Sequence, residues 1–446
     1  MLTLEKKPDF RSKALAAFER SFSGDGAPAP FADIRRNAFD TFSKLGIPTR
    51  RHEAWKYTNV EQTLRHDYTL ISPGDAADRL AKSDLDEVAV PGLDALCVVV
   101  LNGAFSAALS DDLSSIAGLE IGGLRQAALA DGGAVGDYFA RYADPDEDAF
   151  IALNTAFDLD GIFLHVRRGA TIERPIHVIH VIDAEADSLV QTRHLHVIEE
   201  GAIATIIESH HVLPAGSAVK TFENAVTEIV VGQRANLSHY RIQDAGNDAA
   251  GVNTTQVYQR GGSTFSGFTF TFRSGLVRNN VNVVPDGEGC ESNLNGLAII
   301  LGDQHVDNHT LVDHAKPNCQ SNELYKSIVA ERGTGVFNGK VFVRRDAQQT
   351  NAYQQSQGVV LSDDARHFSK PELEIYADDV KCSHGSTTGE MEPEALFYLR
   401  ARGISEVEAR ALLLYAFARD LVESVRVEPL REWLQEMVTR RLDAIT

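Results

Sequence analysis

Residues 201–208 read Gly201-Ala202-Ile203-Ala204-Thr205-Ile206-Ile207-Glu208: a glycine turn that runs directly into a β-branched, alternating segment. The same arrangement occurs at Gly169-Ala170-Thr171-Ile172, Gly232-Gln233-Arg234-Ala235-Asn236 and Gly262-Ser263-Thr264-Phe265, at intervals of 32, 31 and 30 residues. Other alternating segments follow, such as Asn236-Leu237-Ser238-His239-Tyr240. Short strands lie between the marks, at Phe163–Val166, Ile176–Ile179 and Leu195–Ile198. The pattern continues less regularly through Val281–Val284, Leu297–Leu301 and Val341–Arg344. A supersecondary unit repeated at about 20–50 residues marks a solenoid. Strands this short, with no helix between them, predict a β-helix. An all-β sandwich with loops of similar length is the alternative. The ends of a β-solenoid carry unpaired backbone groups and need capping by helices or by another β-solenoid.

Helical texture flanks this core. Ala14, Leu15, Ala17, Phe18 and Phe22 form one apolar stripe, and Ile34, Ala38, Phe39, Phe42 and Leu45 another, at helix spacing. Gly24-Asp25-Gly26-Ala27-Pro28 separates them, and Gly46-Ile47-Pro48 ends the second. Cys97–Leu101 reads as a strand entering the Asn102-Gly103 turn, and residues 110–160 as Ala-rich helical pieces around Pro145. After Gly389 the pattern predicts three helices, Pro393–Ala401, Ser405–Val425 and Pro429–Leu442. Ser405 and Glu408 have the spacing of a capping box, Gly403 suits a helix stop, and Pro429 suits a first turn. Ala411–Ala418 is apolar on most faces, as expected of a segment packed deeply or covered by a partner.

The length of 446 residues fits about three domains. A net charge of −20 argues against phosphate-driven nucleic-acid binding and against docking on an anionic membrane. No apolar run approaches the roughly 18–20 residues a membrane span needs, and the first ten residues contain no signal core. The four cysteines, Cys97, Cys290, Cys319 and Cys382, are scattered and form no Cys-x-x-Cys pair. Reduced thiols and a cytoplasmic location are expected.

Candidate chemistry begins at Lys370–Gly385, a strand-like run that ends in Cys382 and His384. Residues i and i+2 of a strand share a face, about 7 Å apart. Two ligands are half of a closed zinc or iron–sulfur site. The rest must come from elsewhere in the chain or from a second protein; a half-buried thiol beside a satisfied histidine is the plainer reading. His305, Asp307 and His309 also alternate, as metal ligands or as a polar ladder on a solenoid face. His210 and His211 point to opposite faces and do not share one metal. Glu53-Ala54-Trp55-Lys56-Tyr57-Thr58 reads as a packed or partner-facing surface. The sequence has no P-loop, no dinucleotide-binding glycine motif, no Gly-x-Ser-x-Gly elbow and no His-Glu-x-x-His.

Several ordered blocks together resemble the SufD family of iron–sulfur cluster assembly proteins. They are Glu53–Thr58, Asp307-Asn308-His309-Thr310 through His314, Ser321–Lys326, Lys370–Ile375 through Cys382-Ser383-His384-Gly385, and Glu394–Ile404. The paralogue SufB is less similar, because this chain lacks its cysteine-richer C-terminal strand region. The resemblance implies a mainly β protein: a right-handed parallel β-helix over residues 156–388, between helical domains over 1–155 and 389–446. It implies a non-enzymatic scaffold that pairs with SufB through the β-helices. It also implies docking of the SufC ATPase on the C-terminal helices, where Glu394, Phe397, Tyr398 and Arg402 are the candidate contacts. Cys382 and His384 are the implied iron or cluster ligands, His384 first, facing a SufB cysteine. The cluster is transient and shared with SufB, and any flavin belongs to the assembled complex. Open β-helix ends admit a homodimer when SufB is absent. The alternative is a β-helix hydrolase or lyase acting on acidic polysaccharide; the acidic net charge and the lack of a signal peptide count against it.

Overall fold

The alternating segments become in-register parallel ladders, which a sandwich would not give. A computed structural model describes residues 10–22, 31–71, 80–131, 133–157, 160–213 and 218–445. The protein is 45% strand and 24% helix, with a β-solenoid of about seven turns. The expected break at Gly24–Pro28 lies outside the described residues.

The N-terminal part holds α1 (Phe10–Phe22), α2 (Ala32–Leu45), α3 (Val60–Leu64), β1 (Thr69–Leu70), β2 (Leu96–Leu101), β3 (Ala104–Ser106), β4 (Leu119–Gly123), α4 (Leu124–Asp131), α5 (Gly133–Tyr138) and α6 (Ala149–Ala156). The two predicted stripes pack with α6: Phe18, Phe39, Phe42, Ala152 and Leu153 form one buried cluster, and the Phe18 and Phe39 rings stack at 3.9 Å. Gly46 ends α2 at φ 66°, its N–H donating to the Phe42 carbonyl. Asp148 caps α6 by accepting from the N–H groups of Phe150 and Ile151.

The solenoid follows: β5 (Ile162–Val166), β6 (Ile176–Asp183), β7 (Ser188–Ile198), β8 (Ile203–Leu213), β9 (Thr221–Val231), β10 (Asn236–Gln259), β11 (Thr264–Pro285), β12 (Glu291–Ile300), β13 (His305–His314), β14 (Gln320–Val329), β15 (Thr334–Val343), β16 (Thr350–Val360), β17 (Arg366–Ile375) and β18 (Val380–Gly389). One sheet runs β2, β6, β8, the first halves of β10 and β11, then β12, β14, β16 and β18. The facing sheet runs β5, β7, β9, the second halves of β10 and β11, then β13, β15 and β17. The first turn is flanked by β2 and by β4, which is antiparallel to β5.

Alternation sends every second side chain inward. Ile206, Ile229, Leu237, Val257, Val283 and Val312 belong to one buried interior cluster, each residue contributing about 1.5–3 kcal/mol by leaving water. The glycine marks hold, with one difference in role. Gly169, Gly201 and Gly262 take φ near 68° (69°, 67° and 68°), whereas at the intervening mark Arg234 takes that conformation at 56°. Gly232 is needed there for space: a Cβ would stand 2.6 Å from the Glu199 carbonyl carbon.

The run Lys370–Gly385 is not one strand. It spans the end of β17 and the start of β18, which lie in opposite sheets, with Tyr376–Asp379 turning between them. At the C-terminus stand α7 (Pro393–Ala401), α8 (Glu406–Glu423) and α9 (Glu428–Asp443). The Ser405–Glu408 capping box forms as predicted. Leu414, Ala418, Leu421, Leu434 and Val438 pack this end onto Tyr240, Phe270 and Ile299 of the sheet. Lys326 Nζ ties α8 to β14 by donating to the Phe417 carbonyl at 2.9 Å and to Asp420 at 2.7 Å.

Candidate functional site

The last rung decides what the solenoid offers a partner. Among the described residues, β17 pairs across the rungs only with β15, and β18 only with β16. Each therefore leaves one backbone edge without a strand beyond it. Cys382 stands in register with Ala352 and His384 with Gln354. Both of those neighbours are buried inside the solenoid, so Cys382 and His384 share the inward face, as the i, i+2 spacing predicts. Their surroundings differ. Cys382 leans on a cluster that includes Val341, Val343 and Ala347, and burial pushes its thiol up. His384 is exposed at the open end.

Beneath His384 lies a polar column. Gln354 Nε2 donates to Glu323 Oε1 at 3.1 Å, and Thr310 Oγ1 donates to Glu323 Oε2 from the facing sheet. Burial pushes the Glu323 carboxyl up to about 7, against the two hydrogen bonds that favour its charge. On the same last rung, His367 Nδ1 and Thr388 Oγ1 meet at 2.8 Å, and burial pulls the His367 imidazole down to about 4. Sequence reasoning assigned no role to Glu323 or His367. The available signal was an ionisable side chain at an inward position of the alternation. On the outer face of this sheet, Asn293, Asn322, Tyr353 and Ser383 border an open groove of about 490 Å³.

His305, Asp307 and His309 do share a face, but it is the outer face of β13, and the Glu53–Thr58 segment lies against it. Thr58 Oγ1 donates to Asp307, and meets His305 Nε2 at 2.9 Å. His309 Nε2 lies 2.9 Å from Asp307 Oδ1. Burial opposes the Asp307 charge, but His309, Arg278 and the Thr58 hydroxyl outweigh it and hold the carboxyl well below its usual range. Tyr57 stacks on Phe368 at 4.5 Å, and Lys370 pairs with Glu53 at 2.9 Å. The ladder is thus a docking seam for the N-terminal part.

His210 and His211 do face opposite ways across their strand. His210 meets His180 and Glu223. At the C-terminus, α7 buries none of its residues: Phe397 is 75% and Tyr398 58% exposed. Glu394 is also exposed on α7, and the Arg402 guanidinium sits 5.0 Å from the Tyr398 ring. Val407 and Leu412 add exposed apolar surface on α8. Ala411–Ala418 packs through Leu414 and Ala418, while Leu412 stays exposed.

No helix among the described residues is long and apolar enough to cross a membrane. Residues 180–417 match the family model described as the SufBD core domain of SUF-system FeS cluster assembly, and residues 15–178 match the SufBD N-terminal region. The iron–sulfur cluster assembly protein SufD of Escherichia coli is 30% identical over 438 residues, covering 97% of each chain. A SufBD family protein of Synechocystis is 30% identical over 91% of this chain and 90% of its own. The SufD of Bacillus subtilis is 25% identical over 67% of this chain and 68% of its own. These matches favour cluster assembly over the polysaccharide-active alternative, and the chain belongs to the SufBD family of SUF-system iron–sulfur cluster assembly proteins.

Proposed function

We propose that this chain is the SufD-like scaffold subunit of a SUF complex, without independent turnover. It pairs with a SufB-like paralogue through the open rung of β17 and β18, and binds a SufC-like ATPase through α7 and α8. The observation that carries the reading is the position of His384, exposed and inward-facing on the terminal strand, one edge of which has no strand beyond it. A second subunit that extends the ladder there brings its own side chains over His384 and Cys382. The iron or nascent cluster is cargo, held transiently between the two chains with His384 as the first ligand on this side and Cys382 as the second. The same open edge supports a homodimer where SufB is absent. The working division is a mainly helical part over 1–155, the solenoid over 156–388 and the ATPase-docking helices over 389–446, in a cytoplasmic protein.

Flavin is assigned to the assembled complex alone.

The test is co-expression with SufB and SufC homologues, anaerobic purification, and iron and sulfide analysis. The wild-type chain is expected to give a complex carrying both elements. His384→Ala is expected to give the same complex with iron and sulfide reduced several-fold. Normal iron and sulfide in that variant would remove His384 from the site, and failure to co-purify would remove the scaffold reading.

A further inference from the structure

The early turns of the solenoid bury a group of side chains that the cluster-assembly reading does not use. His180 on β6 and His210 on β8 are in register, and both lie inside the solenoid at 4% and 5% exposure. Their rings stack at 4.2 Å. Glu223 reaches them from β9 in the facing sheet, with Oε2 at 3.1 Å from His210 Nδ1. The three ligand atoms all lie within 4.8 Å of one another. Neither nitrogen of His180 has a hydrogen-bond partner. A buried imidazole left without any partner forgoes free energy that a ligand would restore.

The neighbours shape this group further. Arg241 spends its guanidinium on Glu208, with Nη2 at 2.7 Å and Nε at 3.0 Å from the same oxygen. Glu223 is held by Thr192 Oγ1 at 3.3 Å and by His210. The pair of facing carboxylates, Glu208 and Glu223, thus has the guanidinium placed on one side only. The Glu223 side chain keeps 14% exposure, against 7% for His210.

We propose that His180, His210 and Glu223 form a binding site for a divalent first-row transition ion inside the solenoid, separate from the terminal rung. Metal bonds of about 2.0–2.2 Å at tetrahedral angles put ligand atoms about 3.3 Å apart. The His210–Glu223 separation of 3.1 Å already has that span. Two imidazoles and a carboxylate suit Fe²⁺ or Zn²⁺ better than Mg²⁺ or Ca²⁺, which prefer all-oxygen shells. Thr192 supplies the outer hydrogen bond that orients the carboxylate. The ion takes the place of the proton between His210 Nδ1 and Glu223. That proton leaves to solvent or passes to His210 Nε2, which has Glu208 Oε2 at 3.9 Å. His180, free at both nitrogens, turns out of its stack to aim a lone pair at the ion. The fourth position is left to water.

The full chain, stripped with chelator, tests this with Co²⁺ as the probe. Loading is done both on the native protein and during refolding from denaturant, so that slow entry is not mistaken for absence of a site. The expected result is saturation at about one equivalent with visible d–d absorption of a four-coordinate ion. His180→Gln and Glu223→Gln are expected to weaken Co²⁺ binding at least tenfold. Anomalous diffraction from wild-type crystals at the cobalt edge supplies a readout independent of variant folding, with a peak expected between the three side chains. Competition by Fe²⁺ and Zn²⁺ then ranks the two ions. No saturable signal under either loading protocol, no anomalous peak between the three side chains, or unchanged binding in both variants would overturn the site.

Discussion

The guanidinium of Arg278 lies 3.9 Å from the centroid of the Trp55 ring, and its Nη1 also donates to the Ala54 carbonyl. Through this contact the short segment after α2 is fastened to the outer face of β11 and β13. Trp55 is 4% exposed and packs on Phe150 and Val60 from the other side. Trp55→Ala is therefore expected to destabilise the chain by about 3 kcal/mol, and Trp55→Phe, which keeps a ring, by about 1 kcal/mol. Denaturant unfolding measures both. Equal losses in the two variants would show that a ring at this position does not carry the stabilisation, and would overturn the cation–ring contact as its source.

A second anchor is wholly buried. Glu228 on β9 pairs with Arg193 on β7, and both side chains are 0% exposed. The same carboxylate accepts the N–H groups of Ala140 and Tyr142, each at 2.9 Å, and of Ala143 at 3.1 Å. Glu228→Gln leaves the guanidinium unbalanced and turns an N–H donor toward other donors. The expected cost is about 3–5 kcal/mol. Faster hydrogen exchange at Ala140, Tyr142 and Ala143 is the local signature. A loss below about 1 kcal/mol would mean that water or a neighbour takes over the carboxylate's role.

The sequence made the solenoid legible because the glycine marks and the two-residue alternation are local properties. The capping box at Ser405 and the apolar stripes around Phe18 and Phe39 were legible for the same reason. The polar interior was not. Glu323, His180 and His367 sit at inward positions that the hydrophobic pattern assigns to aliphatic residues, and their partners come from the facing sheet or a neighbouring rung. Thr310 and Glu323 meet across the solenoid, and Thr58 and Asp307 meet from 249 positions apart. Spacing along one strand cannot report such contacts. The Lys370–Gly385 run reads as one strand in sequence because its turn, Tyr376–Asp379, contains neither glycine nor proline.

Glu323 gives the chain a pH-dependent term with a definite sign. Its folded-state carboxyl titrates at about 7, above the ordinary value of 4.5. Between those two values the folded chain holds a proton that the unfolded chain has lost. Folding stability from this group therefore falls as pH rises from about 4.5, and levels off only above about 7. Glu323→Gln keeps the neutral shape and removes the titration. The variant should match the wild type near pH 4 and gain on it by about 1–3 kcal/mol at pH 8, in denaturant unfolding at the two pH values. A difference that does not change with pH would show that Glu323 ionises freely in the fold.

The exposed rings of α7 make the most direct test of the proposed ATPase contact. Phe397 and Tyr398 are 75% and 58% exposed, so replacing Phe397 removes little internal packing. Phe397→Asp is expected to leave the melting temperature within about 2 °C of wild type, because surface changes away from packed groups stay within about 0.5 kcal/mol. Yet a central aromatic anchor of an interface contributes about 2 kcal/mol or more to binding, a loss of roughly thirtyfold in affinity. Co-purification of a SufC homologue with the full-length variant measures that loss. Leu414→Asp is the contrasting change, because Leu414 is 2% exposed and holds α8 to the sheet; it should lower the melting temperature as well as the affinity. If Phe397→Asp retains full binding while Leu414→Asp loses it, the ATPase recognises the helical bundle as a whole and the α7 rings are free for another partner.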